Sequence, residues 1–346
     1  MRYILSILGG ICLFMNISSA MGAEPYNGGQ TNDPIQTGVF RWIASPPLAS
    51  PADRLSDPCF SVKDPTVVYY EGAWHLFCTI RSQKRTHQIE YSTFKDWNCA
   101  NEASRHILSV TNGYFCAPQV FYFTPQKKWY LIYQTADASR KPALQPACST
   151  TGDIADPASW SKPTLLFRSQ PDNIKAWIDF WVICDDAKAH LFFTSLDGRL
   201  WRSDALLSDF PHGWSQPEIV LQADIFEAGH IYSLKGRNQY FALIEDQKGS
   251  RRYYKAYLSK TLDGEWAPLA DAWDKPFASL ANVSDKDGHW TDSFSHGELL
   301  RSGCDQKLEA DPGQLRFLFQ GVSDAAMAGK KYGEIPWRLG ILEPAK

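Results

Sequence analysis

The feature that most constrains this chain is a unit repeated five times: a polar or acidic start, a short apolar strand, a turn, and a second strand rich in aromatics. The copies are DPTVVYYEGAWHLFCTI from Asp64, APQVFYFTPQKKWYLIYQT from Ala117, DFWVICDDAKAHLFFTSLDGRLWRS from Asp179, FEAGHIYSLKGRNQYFALIED from Phe226, and HGELLRSGCDQKL with LRFLFQG from His296. Their starts fall roughly 50 to 70 residues apart, the spacing of propeller blades. Aromatic and β-branched runs alternate with turn residues and helical periodicity is missing, which marks an all-β chain. The expected fold is a single five-bladed β-propeller. A jelly roll or a pair of sandwiches would also supply many short strands. The acids favour the propeller, because Asp64, Asp179 and Glu227 each open a strand in a different unit and a radial arrangement brings strand starts to one axis.

The N-terminal end reads differently. Met1 and Arg2, an apolar run over 3–15, then Ser18, Ser19 and Ala20 have the three-part layout of a secretory signal. Residues 1–23 are therefore expected to be a signal peptide, cut after Ala20 or Ala23, and the mature protein to be secreted. Residues 24–39, polar and rich in Gly, Pro and Asn, are expected to form a flexible leader, with the propeller spanning 40–346. No later stretch reaches the 18 or more apolar residues of a membrane helix, so no membrane association is expected. The chain carries a net charge of −3, or −4 once Arg2 is removed. It lacks the basic surface that neutralises phosphates, which argues against a nucleic-acid partner. At 44% hydrophobic residues the chain can bury a large core, and nothing suggests more than a monomer.

Seven cysteines follow the signal: Cys59, Cys78, Cys99, Cys116, Cys148, Cys184 and Cys304. None is in the CxxC spacing of a zinc site. Some are expected to pair in an oxidising compartment, and since seven is odd at least one stays free unless another chain takes it. Asn282-Val283-Ser284 is a glycosylation sequon that matters only in a glycosylating host.

Glycoside hydrolysis needs a carboxylic acid to protonate the leaving oxygen and a carboxylate to activate water or attack. Asp64 stands before Pro65, which restricts it to extended geometry; the alternative is a turn-forming Asp. Asp179 sits in Trp177-Ile178-Asp179-Phe180-Trp181, where a carboxylate is costly unless paired or put to work; a hydrogen-bonded core Asp is its rival. Glu227, between Phe226 and Ala228, has an apolar shoulder able to raise its pKa as a general acid requires, against the plainer reading of an edge-strand Glu. His296 and Glu298 in Ser295-His296-Gly297-Glu298 are a further candidate ligand and a fourth acid. Most aromatics are core, and some are expected to stack on sugar.

Taken together, the blocks Lys63–Tyr70, Ala117–Thr135, Asp179–Asp185, Phe226-Glu227-Ala228, Ser295–Leu299 and Pro336-Trp337-Arg338-Leu339-Gly340 resemble, in order, glycoside hydrolase family 62, the α-L-arabinofuranosidases of plant arabinoxylan. The resemblance covers about residues 40–343. It implies that Asp64 is the general base, Glu227 the general acid, and Asp179 the carboxylate that orients the sugar and modulates the pKa of Glu227. It also implies inversion, for which base and acid stand about 6.5–9.5 Å apart. Lys63, Gln119, Tyr332 and Arg338 are implied pocket residues, and His296 and Gln320 flank a structural calcium; the chemistry itself needs no cofactor. The sequence departs from the family pattern at Gly229-His230 and at Gly333, both expected near the cleft, and the loops 81–88 and 139–147 are unusual. Two other readings remain: a related propeller hydrolase such as a family 43 xylosidase or arabinanase, and a carbohydrate-binding propeller without catalysis. The joint presence of Asp64, Asp179 and Glu227 speaks against the latter.

Overall fold

The computed structural model describes residues 33–345. Nearly all regular structure is β, in five mainly antiparallel sheets arranged as the blades of a propeller. Blade I contains Cys59–Tyr70, Ala73–Ser82, Gln88–Phe94 and Arg105–Ile107. Blade II contains Phe115–Phe123, Lys128–Ala136, Leu144–Thr151 and Thr164–Leu165. Blade III contains Ile178–Cys184, Lys188–Thr194, Arg199–Leu206 and Glu218–Gln222. Blade IV contains Glu227–Leu234, Tyr240–Lys248, Arg251–Ser259 and Ala267–Ala272. Blade V is built from Ser293–Leu299, Phe317–Val322 and Arg338–Pro344, and its fourth strand comes from the other end of the chain: Trp42–Ala44 pairs antiparallel with Arg338–Pro344. That pairing closes the ring and ties the two ends of the fold together, leaving no open inner edge. Five units read from the sequence become five blades, and the innermost strand of each holds its repeat start, or in blade IV directly follows it at Phe226.

Packing begins earlier than the composition suggested. Asp33 caps a short helix, Pro34–Thr37, whose Ile35 is buried in the core, and Asp33 also pairs with Arg237. The last residues of the expected leader thus belong to the domain; the expected signal peptide lies outside the described residues. Blades pack face to face through aromatics such as Phe192, Phe241, Phe277 and Phe317, all fully buried. Burying each such ring contributes about 1.5–3 kcal/mol. Among the described residues no helix is long and apolar enough to cross a membrane.

All seven cysteines are free, contrary to the expectation that some pair. Cys78, Cys116, Cys148 and Cys184 are buried on four separate strands, and the Cys116 thiol donates instead to Tyr114 Oη at 3.0 Å. Asn282 is similarly committed: its Nδ2 donates to the carbonyls of Phe40, Pro276 and Phe277, and its Oδ1 accepts from Ser279 N–H.

Two belts of hydrogen bonds join the blades around the centre. Each innermost strand carries a bulge, and in four of the five a non-glycine residue there has left-handed φ: Asp64 at 48°, Ala117 at 51°, Asp179 at 57° and Ala228 at 52°. The bulge turns a backbone N–H toward the preceding blade. Asp64 N–H donates to Gln320 Oε1 at 2.7 Å, Ala117 N–H to Thr79 Oγ1 at 2.8 Å, Asp179 N–H to Gln134 Oε1 at 3.3 Å, and His296 N–H to Glu245 Oε2 at 2.6 Å. Every one of these acceptors sits on the second strand of the blade before. The second belt runs from the residue two places after each bulge to the next blade: Thr66 to Val120, Gln119 to Val182, Trp181 to Ile231, and His230 to Gly297. In blade V this place is Glu298, ion-paired with Arg301 Nε at 2.7 Å, and Arg301 reaches the carbonyls of Val67 and Val120. Buried polar groups thus find partners across the blade interfaces, and blade order is specified by hydrogen bonds as well as by packing.

Candidate active site

The belts decide which expected site residues can meet a ligand. Asp64 and Asp179 are bulge residues and Glu227 directly precedes the bulge residue Ala228, so the radial geometry carries all three to the centre from blades I, III and IV. Their side chains are 9%, 5% and 13% exposed respectively, which leaves Glu227 the most accessible. The link between the first two is His296, whose Nδ1 lies 3.7 Å from Asp64 Oδ1 and 3.9 Å from Asp179 Oδ2. Asp179 Oδ2 in turn accepts the N–H of Ala228 at 3.2 Å, next to Glu227.

The three carboxyls have different proton affinities. Burial works against the charge on Asp64, but Lys63, His296, the Thr79 hydroxyl and His87 outweigh it and hold the carboxyl below the ordinary aspartate value. Burial pushes Asp179 up to about 6, against the pull of His296 and with help from Asp64 and Glu245. Burial, then Glu245 and Asp179, raise Glu227 well above the ordinary glutamate value despite Arg252. One carboxyl is held low and another high at the same centre, the divergence that separates base from acid.

Lys63 Nζ is 3.8 Å from Asp64 Oδ2 and 5.0 Å from the centre of the Tyr332 ring, which joins both residues to the pocket. Tyr332 is half exposed on a short helical turn beside the acids. Arg338 has its guanidinium 5.2 Å above the Trp290 ring. Gln119 departs from expectation: it is wholly buried, and its amide both donates to Val182 O and accepts from Val182 N–H, each at 2.7 Å. It is a second-belt residue beneath the site and cannot touch sugar. Glu298 is likewise enclosed with Arg301, its pKa pushed up to about 7 by burial, which removes it as a catalytic acid.

His296 and Gln320 are adjacent to the acids, but Gln320 Oε1 already accepts from Asp64 N–H and its Nε2 donates to Ser295 Oγ. Calcium takes six to eight oxygens, and these two side chains offer one committed oxygen and one imidazole nitrogen. Among the described residues no cluster of three or more His, Cys, Asp or Glu side chains is placed to hold a metal. These residues do not by themselves make a calcium cage.

The departures from the family pattern also find places. His230 stacks on Trp181 at 4.2 Å, and a Cβ at Gly229 would come within 2.5 Å of Leu200 Cδ1. Gly229-His230 is therefore packing between blades and does not form part of the cleft. At Gly333 a Cβ would fall 1.1 Å from Arg81 Nη1, so the Arg81 guanidinium occupies the space a side chain would take there. Within the loop 81–88, Arg85 pairs with Asp57 at 3.0 Å, and His87, pushed down to about 4 by burial and by Lys63, is neutral near Asp64. Two neighbours of Glu227 had escaped the sequence reading. Glu245 is directly across from it in register, and Arg252 Nη1 lies 3.6 Å from Glu227 Oε1 and 3.5 Å from Glu245 Oε1. The only signal for either was an acid in an apolar strand, Leu243-Ile244-Glu245.

Comparison with known proteins assigns the chain to a family. The chain is 38% identical over 315 residues to alpha-L-arabinofuranosidase C of Cellvibrio japonicus, an alignment covering 89% of this chain and 47% of that protein, so it spans about half the length of that relative. The catalytic domain of the family 62 alpha-L-arabinofuranosidase of Coprinopsis cinerea superposes with a TM-score of 0.83 at 38% identity, over 89% of this chain and 98% of that one. A family 62 hydrolase solved in complex with xylotriose superposes with a TM-score of 0.82 at 36% identity, over 89% and 98% of the two chains. Residues 41–343, from just before the strand that closes the ring to the last blade strand, match Glycosyl hydrolase family 62, and the chain belongs to that family.

Proposed function

We propose that this protein is a secreted, monomeric α-L-arabinofuranosidase that removes arabinofuranose branches from plant arabinoxylan with inversion. The observation that carries this reading is the opposed pair at the propeller centre: against burial, Lys63 and His296 hold the Asp64 carboxyl below its ordinary value, while burial, Glu245 and Asp179 raise Glu227 well above its own. In the reaction Asp64 takes a proton from water as the water oxygen bonds to the anomeric carbon. Glu227 gives its proton to the glycosidic oxygen as the bond to the xylan hydroxyl breaks. Asp179, tied to Ala228 N–H, keeps a negative group beside Glu227 and disfavours early loss of that proton. No cofactor enters the chemistry. The name of the Cellvibrio relative supports the arabinofuranosidase reading, and xylotriose bound to a 36% identical relative supports xylan as the backbone.

The test incubates purified protein and Glu227→Gln with wheat arabinoxylan and with debranched arabinan, and follows the released sugar by NMR. Arabinose from arabinoxylan with the wild type alone, appearing first as the β-anomer, is the expected result. Initial α-arabinose would overturn inversion. Release of xylose or arabino-oligosaccharides would move the protein to the xylosidase or arabinanase reading, and no release of any sugar would point to a binding propeller.

A further inference from the structure

Glu245 is a fully buried acid at a place in the first belt where the other blades carry none. In the first belt its equivalents on the other second strands are Thr79, Gln134, Thr194 and Gln320, all neutral. Three of those four accept the next blade's bulge N–H without any charge. Glu245 does the same for His296 and in addition accepts from Ser295 Oγ at 2.8 Å through its other oxygen, whereas a glutamine would keep the acceptor for His296 N–H and turn an amide donor toward the Ser295 hydroxyl. The charge is matched instead by Arg252, whose Nη1 stands between Glu245 and Glu227 while its guanidinium lies 4.0 Å from the Phe226 ring. An arginine beside Glu227 alone would favour the ionised carboxylate, the wrong form for a group that must hold a proton.

We propose that Glu245 is a positioning residue for Glu227: it takes up the charge of Arg252, so that the arginine fixes the Glu227 carboxyl in place without removing its proton. The inference rests on Glu227 being the general acid, as argued above. The groups facing Glu227 are Glu245 and Arg252 from its own blade, Asp179 from blade III, Lys63 and Asp64 from blade I, and Tyr332 from the turn before the third strand of blade V. His296 of blade V faces Glu245. Of the two cations facing Glu227, Lys63 is paired with Asp64, which leaves Arg252 as the one Glu245 must answer. Through His296 N–H the same carboxylate also braces the ring that stands between Asp64 and Asp179.

The test is the pH profile of kcat/KM on arabinoxylan for the full-length protein and for Glu245→Gln, Arg252→Gln, the double variant and Glu227→Gln. Glu245→Gln is expected to move the alkaline limb down by on the order of one pH unit, hence about tenfold less activity above that limb, with the acid limb unmoved. Arg252→Gln is expected to move the alkaline limb up, and the double variant to return it near the wild type. Uniform loss at every pH, or an alkaline limb that stays put in both single variants, would overturn the inference. If Glu245→Gln fails to melt cooperatively, Arg252→Gln decides alone, and a limb that does not rise overturns it. Wild-type activity in Glu227→Gln would strike the acid assignment itself, an outcome distinct from an unmoved limb.

Discussion

Asp179 Oδ2 accepts the main-chain N–H of Ala228 at 3.2 Å, taking the place that a second-strand side chain fills at every other blade junction. The residue displaced from that role is Thr194, in register with Ile178 just as Gln134 is with Cys116. Its hydroxyl is buried without a partner. The belt is broken at one junction, and the break is what turns the Asp179 carboxylate toward the blade that carries Glu227.

Thr194→Val should therefore stabilise the fold, because it replaces an unsatisfied buried hydroxyl by a methyl of the same shape. The expected gain is about 1 kcal/mol in urea unfolding, with kcat/KM unchanged, since Asp179 keeps its own partner. A loss of stability would show that the hydroxyl has a partner in solution.

Asp64, the proposed base, has a strained left-handed backbone at φ 48° instead of the extended geometry expected before Pro65, because it is the bulge residue of its strand. Asn tolerates that conformation but cannot accept a proton from water. Asp64→Asn should melt close to the wild type and lose about 10²–10⁴-fold in kcat, whereas a large drop in melting temperature would mean that the ion pair with Lys63 holds the site together.

The carboxyls also set the pH dependence of stability. Asp179, raised by burial to about 6, binds its proton more tightly folded than unfolded, so stability falls as pH rises from about 4 through about 6. Glu227 adds the same sign at higher pH. Asp64, held below its ordinary value by Lys63 and His296 in spite of burial, contributes stability that is lost only as pH falls through its folded pKa. The melting temperature should peak in mildly acidic buffer, and Asp179→Asn, which can still accept from Ala228 N–H, should flatten the decline between pH 4 and 6.

Asn282 should remain unglycosylated even in a eukaryotic host, because its amide nitrogen is hydrogen-bonded to three carbonyls inside the fold. Intact-mass measurement of the secreted protein checks this. A glycan there would require those bonds to be open when the chain meets the transferase.

The repeat of apolar strand, turn and aromatic strand was legible in the sequence because strand alternation and turn chemistry are local, and five such units have few ways to bury their faces except as blades. Asp64, Asp179 and Glu227 were legible for the same reason: each stands at the start of a repeat, and equivalent positions in a radial fold converge. The tertiary structure decided what spacing does not carry. Gln119 and Glu298 stand at repeat positions as regular as those of the acids, yet the second belt encloses them. Glu245, at the end of the fourth repeat, and Arg252, just beyond it, carry no local sign of a role, yet pairing of adjacent strands sets them against Glu227. Cysteines that composition suggested would pair are separated onto different strands. Local pattern determined which residues turn toward the axis; contacts across blade interfaces, formed between residues up to 256 positions apart, decided which of them keep a charge, a proton or a free face there.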